Sequence, residues 1–284
     1  MDWKALRREV LGSKGFAAKL RKKELSPKKL AETAQSRVMA KIGAINCDNI
    51  NAVLCQLLDM EYELYLELEQ EALFERVAEL AMEVKEEFPA INRLIQECLN
   101  SLKDDSLTEQ EKLTRAAQLL SPLYKFVFES FAQGRRARAG NSAQYHVAFV
   151  LDQLGFQGLY ERQRTLNGTV DFLFPNLNMW KRDRRRCTIL SIKRSLRERY
   201  KQIYEELRRT GGLTIYLLVT ETADEARKDI TDEKISNLRA ENVYLVVRDE
   251  IKQNRFSQES LVLGFTDLFC RELPRLKTAW TSRQ

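Results

Sequence analysis

The chain has 284 residues, 44% hydrophobic and 31% charged, which is enough for a buried core in one large domain or two smaller ones. It contains no apolar run of the roughly 18 residues that a transmembrane helix needs, and the N-terminal MDWKALRREV has no apolar secretory core. One histidine and no CxxC spacing argue against a structural zinc site. Five widely spaced cysteines predict reduced, mostly buried intracellular thiols: Cys47, Cys55, Cys98, Cys187 and Cys270.

The net charge of +6 is unevenly distributed along the chain. Residues 1–41 contain 12 Lys and Arg against 4 Asp and Glu, residues 42–134 contain 7 against 18, and residues 135–284 contain 28 against 19. The positive excess in the last segment favours encounter with a polyanion such as nucleic acid, without specifying one. A solubilising surface is the alternative explanation.

The first 134 residues predict helices and no strand. Ser26 followed by Pro27 is typical of an N-cap with proline at the first helical position. Residues 49–86 carry Leu, Glu, Met and Ala at helical spacing. One apolar stripe in this segment is expected to be core, because a helix must bury an apolar face: Leu54, Leu57, Leu58, Tyr62, Tyr65 and Leu68.

Two more helices are predicted before the middle of the chain. One begins at Pro89 and continues through Leu99, and the other begins with a capping box formed by Thr108 and Glu111 and ends near Pro122. This all-α region could be a dimerisation platform or a support for the second half.

The pattern changes near Gly134, after which short apolar runs alternate with helical segments. Asn167-Gly168 is typical of a hairpin turn between the first two strands. Alternating strands and helices with central apolar runs predict an α/β fold, in which helices cover a sheet. The predicted strands are 156–161, 169–174, 187–193, 213–219 and 243–248, and the predicted helices are 142–154, 196–209 and 224–240.

Three charged residues in the second half have the spacing of a metal-dependent nuclease site. Asp171 lies in one short apolar run and Lys193 ends another, so both side chains can reach one point if the two strands are adjacent. Glu206 would join them from the following helix. Two carboxylates can hold Mg²⁺, which neutralises a phosphate and activates water. A lysine can orient that water or stabilise the developing charge.

The combination of Asp171, Ser191-Ile192-Lys193 and Glu206 resembles the active site of PD-(D/E)XK nucleases. The usual motif has an acid two residues before the lysine; here that position is Ser191, and the acid lies 13 residues after the lysine, at Glu206. This displacement is similar to that of type II restriction endonucleases that recognise CCGG, CCNGG or CCWGG cores. The resemblance covers roughly 136–210. It implies a restriction-endonuclease-like mixed sheet flanked by helices, with Mg²⁺ held by Asp171 and Glu206.

The segment KRSLRER, residues 193–199, is also similar to that family, in which an RER-like triplet contacts C:G pairs in the major groove. The resemblance therefore implies that Arg197, Glu198 and Arg199 contact bases: arginine donates to guanine, and glutamate accepts from cytosine. The family often carries a glutamate on the helix before the site, where this chain has Gln144. A neutral amide can coordinate or orient water but cannot neutralise metal charge, so the sequence leaves open whether one metal ion or two are tightly bound.

These features predict a type II site-specific deoxyribonuclease that makes Mg²⁺-dependent double-strand cuts in DNA at a CCGG-type core. A helical domain over 1–134 would serve dimerisation or support and could contact the DNA flank, and 135–284 would be the catalytic domain. The resemblance implies a homodimer, because a palindromic site presents two equivalent strands to a two-fold partner, and also 5′ overhangs. A cytoplasmic, prokaryotic protein with no membrane partner is expected. Two alternatives on the same fold remain open: a structure-selective repair or mobile-element nuclease, and a non-catalytic DNA-binding protein.

Simpler roles remain open for several of these residues. Ser195 and Glu198 also fit a helix capping box. His146 is expected to pack within a helix, since no acid partner is evident in the sequence, and Cys187 to be inert in a buried strand. Four arginines fit either contacts to the DNA backbone or solvated loop charge: Arg182, Arg184, Arg185 and Arg186.

Overall fold

The computed structural model describes residues 2–21, 26–83, 86–162, 170–196 and 213–281, except for the side chains of residues 135–141 and 281. Residue contacts divide the chain into two compact units. The first unit comprises Met1–Leu30 and Tyr62–Arg138, and the second comprises Ala31–Glu61 and Ala139–Gln284. Over its described residues the first unit is helical, whereas the second contains a six-stranded sheet.

The described residues before the sheet form α1 (Trp3–Leu11), α2 (Phe16–Arg21), α3 (Pro27–Ile42), α4 (Ile50–Glu71), α5 (Val77–Glu83), α6 (Pro89–Leu102) and α7 (Glu109–Gln153), with a π turn at Ala72–Arg76. The predicted caps are confirmed. The Ser26 hydroxyl accepts a hydrogen bond from the Lys29 amide at 3.3 Å. The Thr108 amide donates to Glu111 Oε2 at 2.8 Å, and the Glu111 amide donates to Thr108 Oγ1 at 3.3 Å.

Helix α7 is 45 residues long and passes through Pro122, so the predicted end near that residue is wrong. Proline has no amide hydrogen and removes one bond from a helix interior. Burial of the apolar residues that follow, Leu123, Val127 and Phe131, offsets that loss and keeps the chain helical.

The sheet consists of β1 (Glu161–Arg162), β2 (Phe172–Phe174), β3 (Thr188–Lys193), β4 (Ile215–Val219), β5 (Val243–Val247) and β6 (Val262–Gly264), in that spatial order. The first three strands pair antiparallel and the last four pair parallel. The remaining described helices are α8 (Leu177–Asp183), α9 (Ala223–Asp229), α10 (Asp232–Ala240), α11 (Asp249–Arg255), α12 (Phe265–Asp267) and α13 (Leu273–Thr281). This mixed sheet with flanking helices confirms the predicted fold class.

Both faces of the sheet are buried, which explains the continuous apolar runs of its central strands. Residues of β3 alternate between two cores: Leu190 and Ile192 face one, and Ile189 faces the other. The first of these cores includes residues from α3, α4, the end of α7 and α13. The first unit has a separate core, formed by α1, α2, α5, α6 and the earlier part of α7.

Two element predictions in the second half of the chain need correction. Residues 156–161 are mostly turns rather than strand, because Gly155 and Gly158 have positive φ angles of 78° and 77°. The single helix expected over 224–240 is two helices, because the Thr231 hydroxyl accepts the Lys234 amide and starts α10 anew. Helices α8, α11, α12 and α13 and strand β6 were not predicted. The expected hairpin turn at 167–168 and helix at 196–209 lie outside the described residues.

The two units differ from the predicted division at residue 134. Residues 31–61, which had been assigned to the N-terminal region, belong to the second unit. From the predicted stripe, Leu54 and Leu57 are buried in the core beside the sheet, and Tyr65 is buried as well. Tyr62, however, is 51% exposed, so its assignment to the core is wrong.

Cys47 and Cys270, separated by 223 residues in sequence, form a disulfide within the second unit. The prediction that all five cysteines are reduced thiols is therefore wrong for this pair. Cys55, Cys98 and Cys187 are free, and burial raises the pKa of the Cys187 thiol to about 11. A protonated, buried thiol is a poor nucleophile, as expected for Cys187.

Candidate active site

Asp171 and Lys193 come together at one end of two antiparallel strands. Phe172 of β2 pairs with Leu190 of β3, which places Asp171, immediately before β2, opposite Ser191. Lys193 is the last residue of β3. Its Nζ atom lies 3.6 Å from Asp171 Oδ2, so the two predicted groups are neighbours in the fold.

The Asp171 carboxylate accepts hydrogen bonds on both of its oxygens. Oδ2 accepts the Ile192 amide at 2.7 Å and the Ser191 hydroxyl at 3.3 Å, and Oδ1 accepts the Gln144 side-chain amide at 2.6 Å. Bonds of this kind to an ionised carboxylate are strong and directional. Backbone and side-chain donors therefore fix the carboxylate against the end of β3, with its side chain only 15% exposed.

The Lys193 ammonium is held in a largely buried position, with 9% of its side chain exposed. A cation removed from water needs a compensating partner, which Asp171 supplies. An ammonium in this position can also contact an anion, such as a phosphate oxygen, that approaches the end of β3.

Gln144 reaches the same carboxylate from α7 and is 4% exposed. Its Oε1 atom is buried and has no hydrogen-bond partner among the described residues. A buried oxygen without a donor is costly, and it is satisfied when a metal ion or an ordered water binds there. Asp171 and Gln144 thus offer the hard oxygen donors that Mg²⁺ prefers.

A second polar cluster lies beside Gln144 on the same helix. Glu61, on α4, accepts a hydrogen bond from the Ser142 hydroxyl, and its Oε2 atom lies 2.5 Å from Nε2 of His146. His146 is fully buried, as expected, but the sequence did not reveal its acid partner, which is 85 residues away. Since Ser142 and His146 flank Gln144 by two residues on either side, this cluster fixes the segment of α7 that presents the amide.

Arg162, on β1, was not predicted as a site residue. Its guanidinium lies 4.5 Å from the ring centroid of Tyr145 and 5.7 Å from that of Phe172. The two rings hold the Arg162 guanidinium through cation–π contacts. No local sequence pattern marks it, because its position depends on the pairing of β1 with β2.

The remaining predicted site residues, Glu206, Arg197, Glu198 and Arg199, lie outside the described residues. Within the described part of the chain, no cluster of three or more His, Cys, Asp or Glu side chains could hold a metal ion.

The arginines between β2 and β3 are partly held by the protein. Arg186 donates to the Ala279 carbonyl at 2.8 Å, and Arg185 lies 3.4 Å from Asp183. Trp280 in turn donates to the Arg186 carbonyl at 2.9 Å. Arg186 therefore has a structural contact, whereas the Arg185 side chain is 89% exposed and accessible to a polyanion.

Comparison with known proteins gives this site a family. The family model described as EcoRII C terminal matches residues 108–269, which contain Gln144, Asp171 and Lys193. The chain belongs to the EcoRII C-terminal family. It is also 28% identical over 147 residues to the type II restriction enzyme SsoII from Shigella sonnei, a match that covers 49% of this chain and 46% of SsoII. The match thus spans about half the length of that relative.

Solved structures of two restriction endonucleases share the fold of this EcoRII C-terminal family member. Metal-depleted Ecl18kI in complex with uncleaved DNA is 18% identical, with a TM-score of 0.73 over all of this chain and 88% of that one. The PspGI restriction endonuclease–substrate DNA complex is 12% identical, with a TM-score of 0.60 over 91% of this chain and 96% of that one. Among the described residues, no helix has the length and apolarity needed to span a membrane.

Proposed function

We propose that this chain is a type II restriction endonuclease that makes Mg²⁺-dependent double-strand cuts in DNA at a CCGG-type core, either CCGG or interrupted as CCNGG or CCWGG. The observation that carries the proposal is the cluster of Asp171, Lys193 and Gln144, which lies where β2 begins and β3 ends, in a member of the EcoRII C-terminal family. The DNA complexes of Ecl18kI and PspGI support DNA as the partner.

We assign a task in phosphodiester hydrolysis to each residue of the proposed site. Asp171, together with Glu206 and the Gln144 Oε1 atom, would hold Mg²⁺, which when bound neutralises phosphate charge and lowers the pKa of a water ligand. Lys193 would contact a non-bridging phosphate oxygen and stabilise the charge that develops there. Gln144 orients the Asp171 carboxylate through its amide. The water oxygen bonds to phosphorus while the P–O bond to the leaving group breaks. The proton that the water loses is taken up by the alkoxide that leaves.

Sequence recognition is proposed for Arg197, Glu198 and Arg199. Arginine can donate two hydrogen bonds to O6 and N7 of guanine, and glutamate can accept from N4 of cytosine. The triplet begins four residues after Lys193, so residues that read bases and residues that cut the backbone belong to one short segment. A homodimer acting on a palindromic site in the prokaryotic cytoplasm, and producing 5′ overhangs, completes the proposal.

Incubation of the full chain with plasmid and phage DNA in Mg²⁺ tests this function. Discrete fragments whose sequenced ends share a C/G-rich palindromic core are expected, and EDTA should abolish them. Random nicks or smears would instead favour a structure-selective nuclease. A gel shift without cleavage would favour a DNA-binding protein without catalysis.

A further inference from the structure

Glu61, on α4, contacts α7 at two residues that flank Gln144. Its Oε1 atom accepts a hydrogen bond from the Ser142 hydroxyl, and its Oε2 atom lies 2.5 Å from Nε2 of His146. Ser142 and His146 are fully buried, and Glu61 is 9% exposed. These contacts therefore form inside the protein, within the second unit.

The two contacts lie on the face of α7 roughly opposite to that of Gln144. Successive residues of an α-helix are turned by about 100°, so Ser142 and His146, which are four residues apart, share one face. Gln144 is turned by about 200° from Ser142 and leaves the helix on the other side. There its amide donates to Asp171 at 2.6 Å. A rotation of α7 about its axis would therefore move both sets of contacts together.

The ring of His146 has a partner at each of its nitrogen atoms. Nε2 faces Glu61, and Nδ1 lies 3.5 Å from the side-chain amide of Gln35 on α3. The Gln35 amide also donates to the Tyr145 carbonyl at 3.3 Å. This arrangement suits a ring that donates from Nε2 and accepts at Nδ1. Polar contacts from two helices thus hold this face of α7.

The Glu61 contacts have a direction that apolar packing lacks. Ala143, Val147 and Val150 already pack this part of α7 into the core beside the sheet. A buried carboxylate loses its hydration, and apolar side chains of similar size often stabilise a fold at least as well. Hydrogen bonds, however, require a defined distance and angle. What Glu61 adds is therefore a defined rotation of the helix, to which Gln144 on the opposite face responds.

We propose that Glu61 is a positioning residue for Gln144. By holding one face of α7, it sets the rotation of the helix at which the Gln144 amide meets Asp171. The same rotation fixes the buried Oε1 atom of Gln144, the oxygen assigned to Mg²⁺. This last link rests on the proposed function. Glutamine in place of Glu61 keeps an acceptor for Ser142 and can donate to the other tautomer of His146, whereas leucine does neither.

The test is NMR spectroscopy of the full chain without metal, labelled with nitrogen-15 glutamine, because it observes the Gln144 side-chain amide directly. Gln144→Ala identifies the resonance by its disappearance. The wild type is compared with Glu61→Leu and Glu61→Gln. Glu63→Leu makes the same substitution at an exposed position of α4 and is the matched control. If Glu61→Leu lacks the wild-type circular dichroism spectrum, Ser142→Ala, which removes one of the two contacts, replaces it.

The wild-type Gln144 amide proton should resonate downfield of ordinary glutamine side chains, because it is donated to a carboxylate. Glu61→Leu should lose this displacement, whereas Glu61→Gln and Glu63→Leu should keep it. The inference is overturned if folded Glu61→Leu keeps the wild-type resonance, if Glu61→Gln loses it equally, or if Glu63→Leu loses it as well.

Single-turnover cleavage across a range of Mg²⁺ concentrations tests the link to the metal. Glu61→Leu should need at least about tenfold more Mg²⁺ for its half-maximal rate, an effect typical of losing an outer contact of a metal site. Glu61→Gln should need the wild-type concentration. A wild type that does not cut DNA, or a Glu61→Leu protein that loses the resonance but keeps the wild-type Mg²⁺ requirement, would contradict the proposed function alone. The spectra would still decide whether Glu61 positions Gln144.

Discussion

The Gln144 side-chain amide donates a 2.6 Å hydrogen bond to Oδ1 of Asp171, while its own buried Oε1 atom has no partner among the described residues. The amide thus orients the carboxylate with one end and leaves an acceptor at the other. A carboxylate at this position would instead repel Asp171 unless a cation lay between them. We therefore expect the identity of residue 144 to set how strongly the stability of the folded site depends on a divalent ion.

Gln144→Glu should make stability depend on Mg²⁺. Without metal, two adjacent carboxylates should cost on the order of 1–3 kcal/mol, and each kcal/mol corresponds to a fall in Tm of about 2–4 °C. Addition of Mg²⁺ should restore much of this loss, as measured by thermal unfolding with and without the ion. Gln144→Ala removes the hydrogen bond without adding charge and is the control. Mg²⁺ should raise its Tm no more than it raises the Tm of the wild type. Equal Mg²⁺ responses in all three proteins would show that residue 144 does not face the metal.

Arg197→Ala and Arg199→Ala should each reduce discrimination at a guanine position by about 1–3 kcal/mol. Arg185→Ala, in the exposed basic turn, should weaken binding evenly across sequences and flatten its salt dependence. Competition binding with cognate and single-substituted duplexes at two salt concentrations separates these effects. The base-contacting role fails if Arg197→Ala weakens cognate and random duplexes to the same extent.

The fragment 135–284 should be poorly soluble and cut DNA slowly at best. Its core beside the sheet is completed by Ile50, Val53, Leu54 and Leu57, all fully buried and all absent from the fragment. Their loss would expose apolar surface around the helix that carries Gln144. Size-exclusion chromatography and cleavage assays beside the full chain check this expectation. A soluble fragment with full specific activity would show that the N-terminal residues are dispensable.

Glu221→Gln should become more stable relative to the wild type as pH rises. Burial raises the pKa of the Glu221 carboxyl, two residues beyond β4, to about 9 in the folded protein against an ordinary value of 4.5. Between these two pH values the carboxyl is therefore ionised in the unfolded chain but protonated in the folded protein. Wild-type stability from this group therefore falls between these two pH values by up to about 1 kcal/mol per pH unit. Glutamine does not titrate and avoids the loss. Urea unfolding at pH 6 and pH 8.5 measures the difference, and a constant difference would contradict a protonated Glu221.

The sequence allowed prediction of those parts of the site that depend on short-range patterns. The apolar runs of β3, β4 and β5 indicated buried strands, and the antiparallel pairing of β2 with β3 then brings Asp171 to Lys193. Relationships between distant residues had no such signal. The contact of Glu61 with His146 and the Cys47–Cys270 disulfide arise only when separate elements pack together.

Competition between local and tertiary effects explains two other differences between the predicted and the observed structure. Pro122 favours a helix end by local rules, but burial of the residues after it keeps α7 continuous. Residues 31–61 have the same helical pattern as the rest of the N-terminal region. Their membership of the second unit depends on which core their apolar faces join, and a helical period does not specify that.

Single-turnover cleavage and duplex binding, measured side by side for the wild type, Lys193→Ala and Asp171→Asn, test the central claim most directly. Lys228→Ala, an exposed lysine on α9, is the control. Both site variants should bind the cognate duplex within about threefold of the wild type but cut it at least about 10²-fold more slowly, since each removes a group that acts on phosphate or metal. Near-normal cleavage by either variant, with the same Mg²⁺ dependence as the wild type, would show that the phosphodiester is hydrolysed elsewhere.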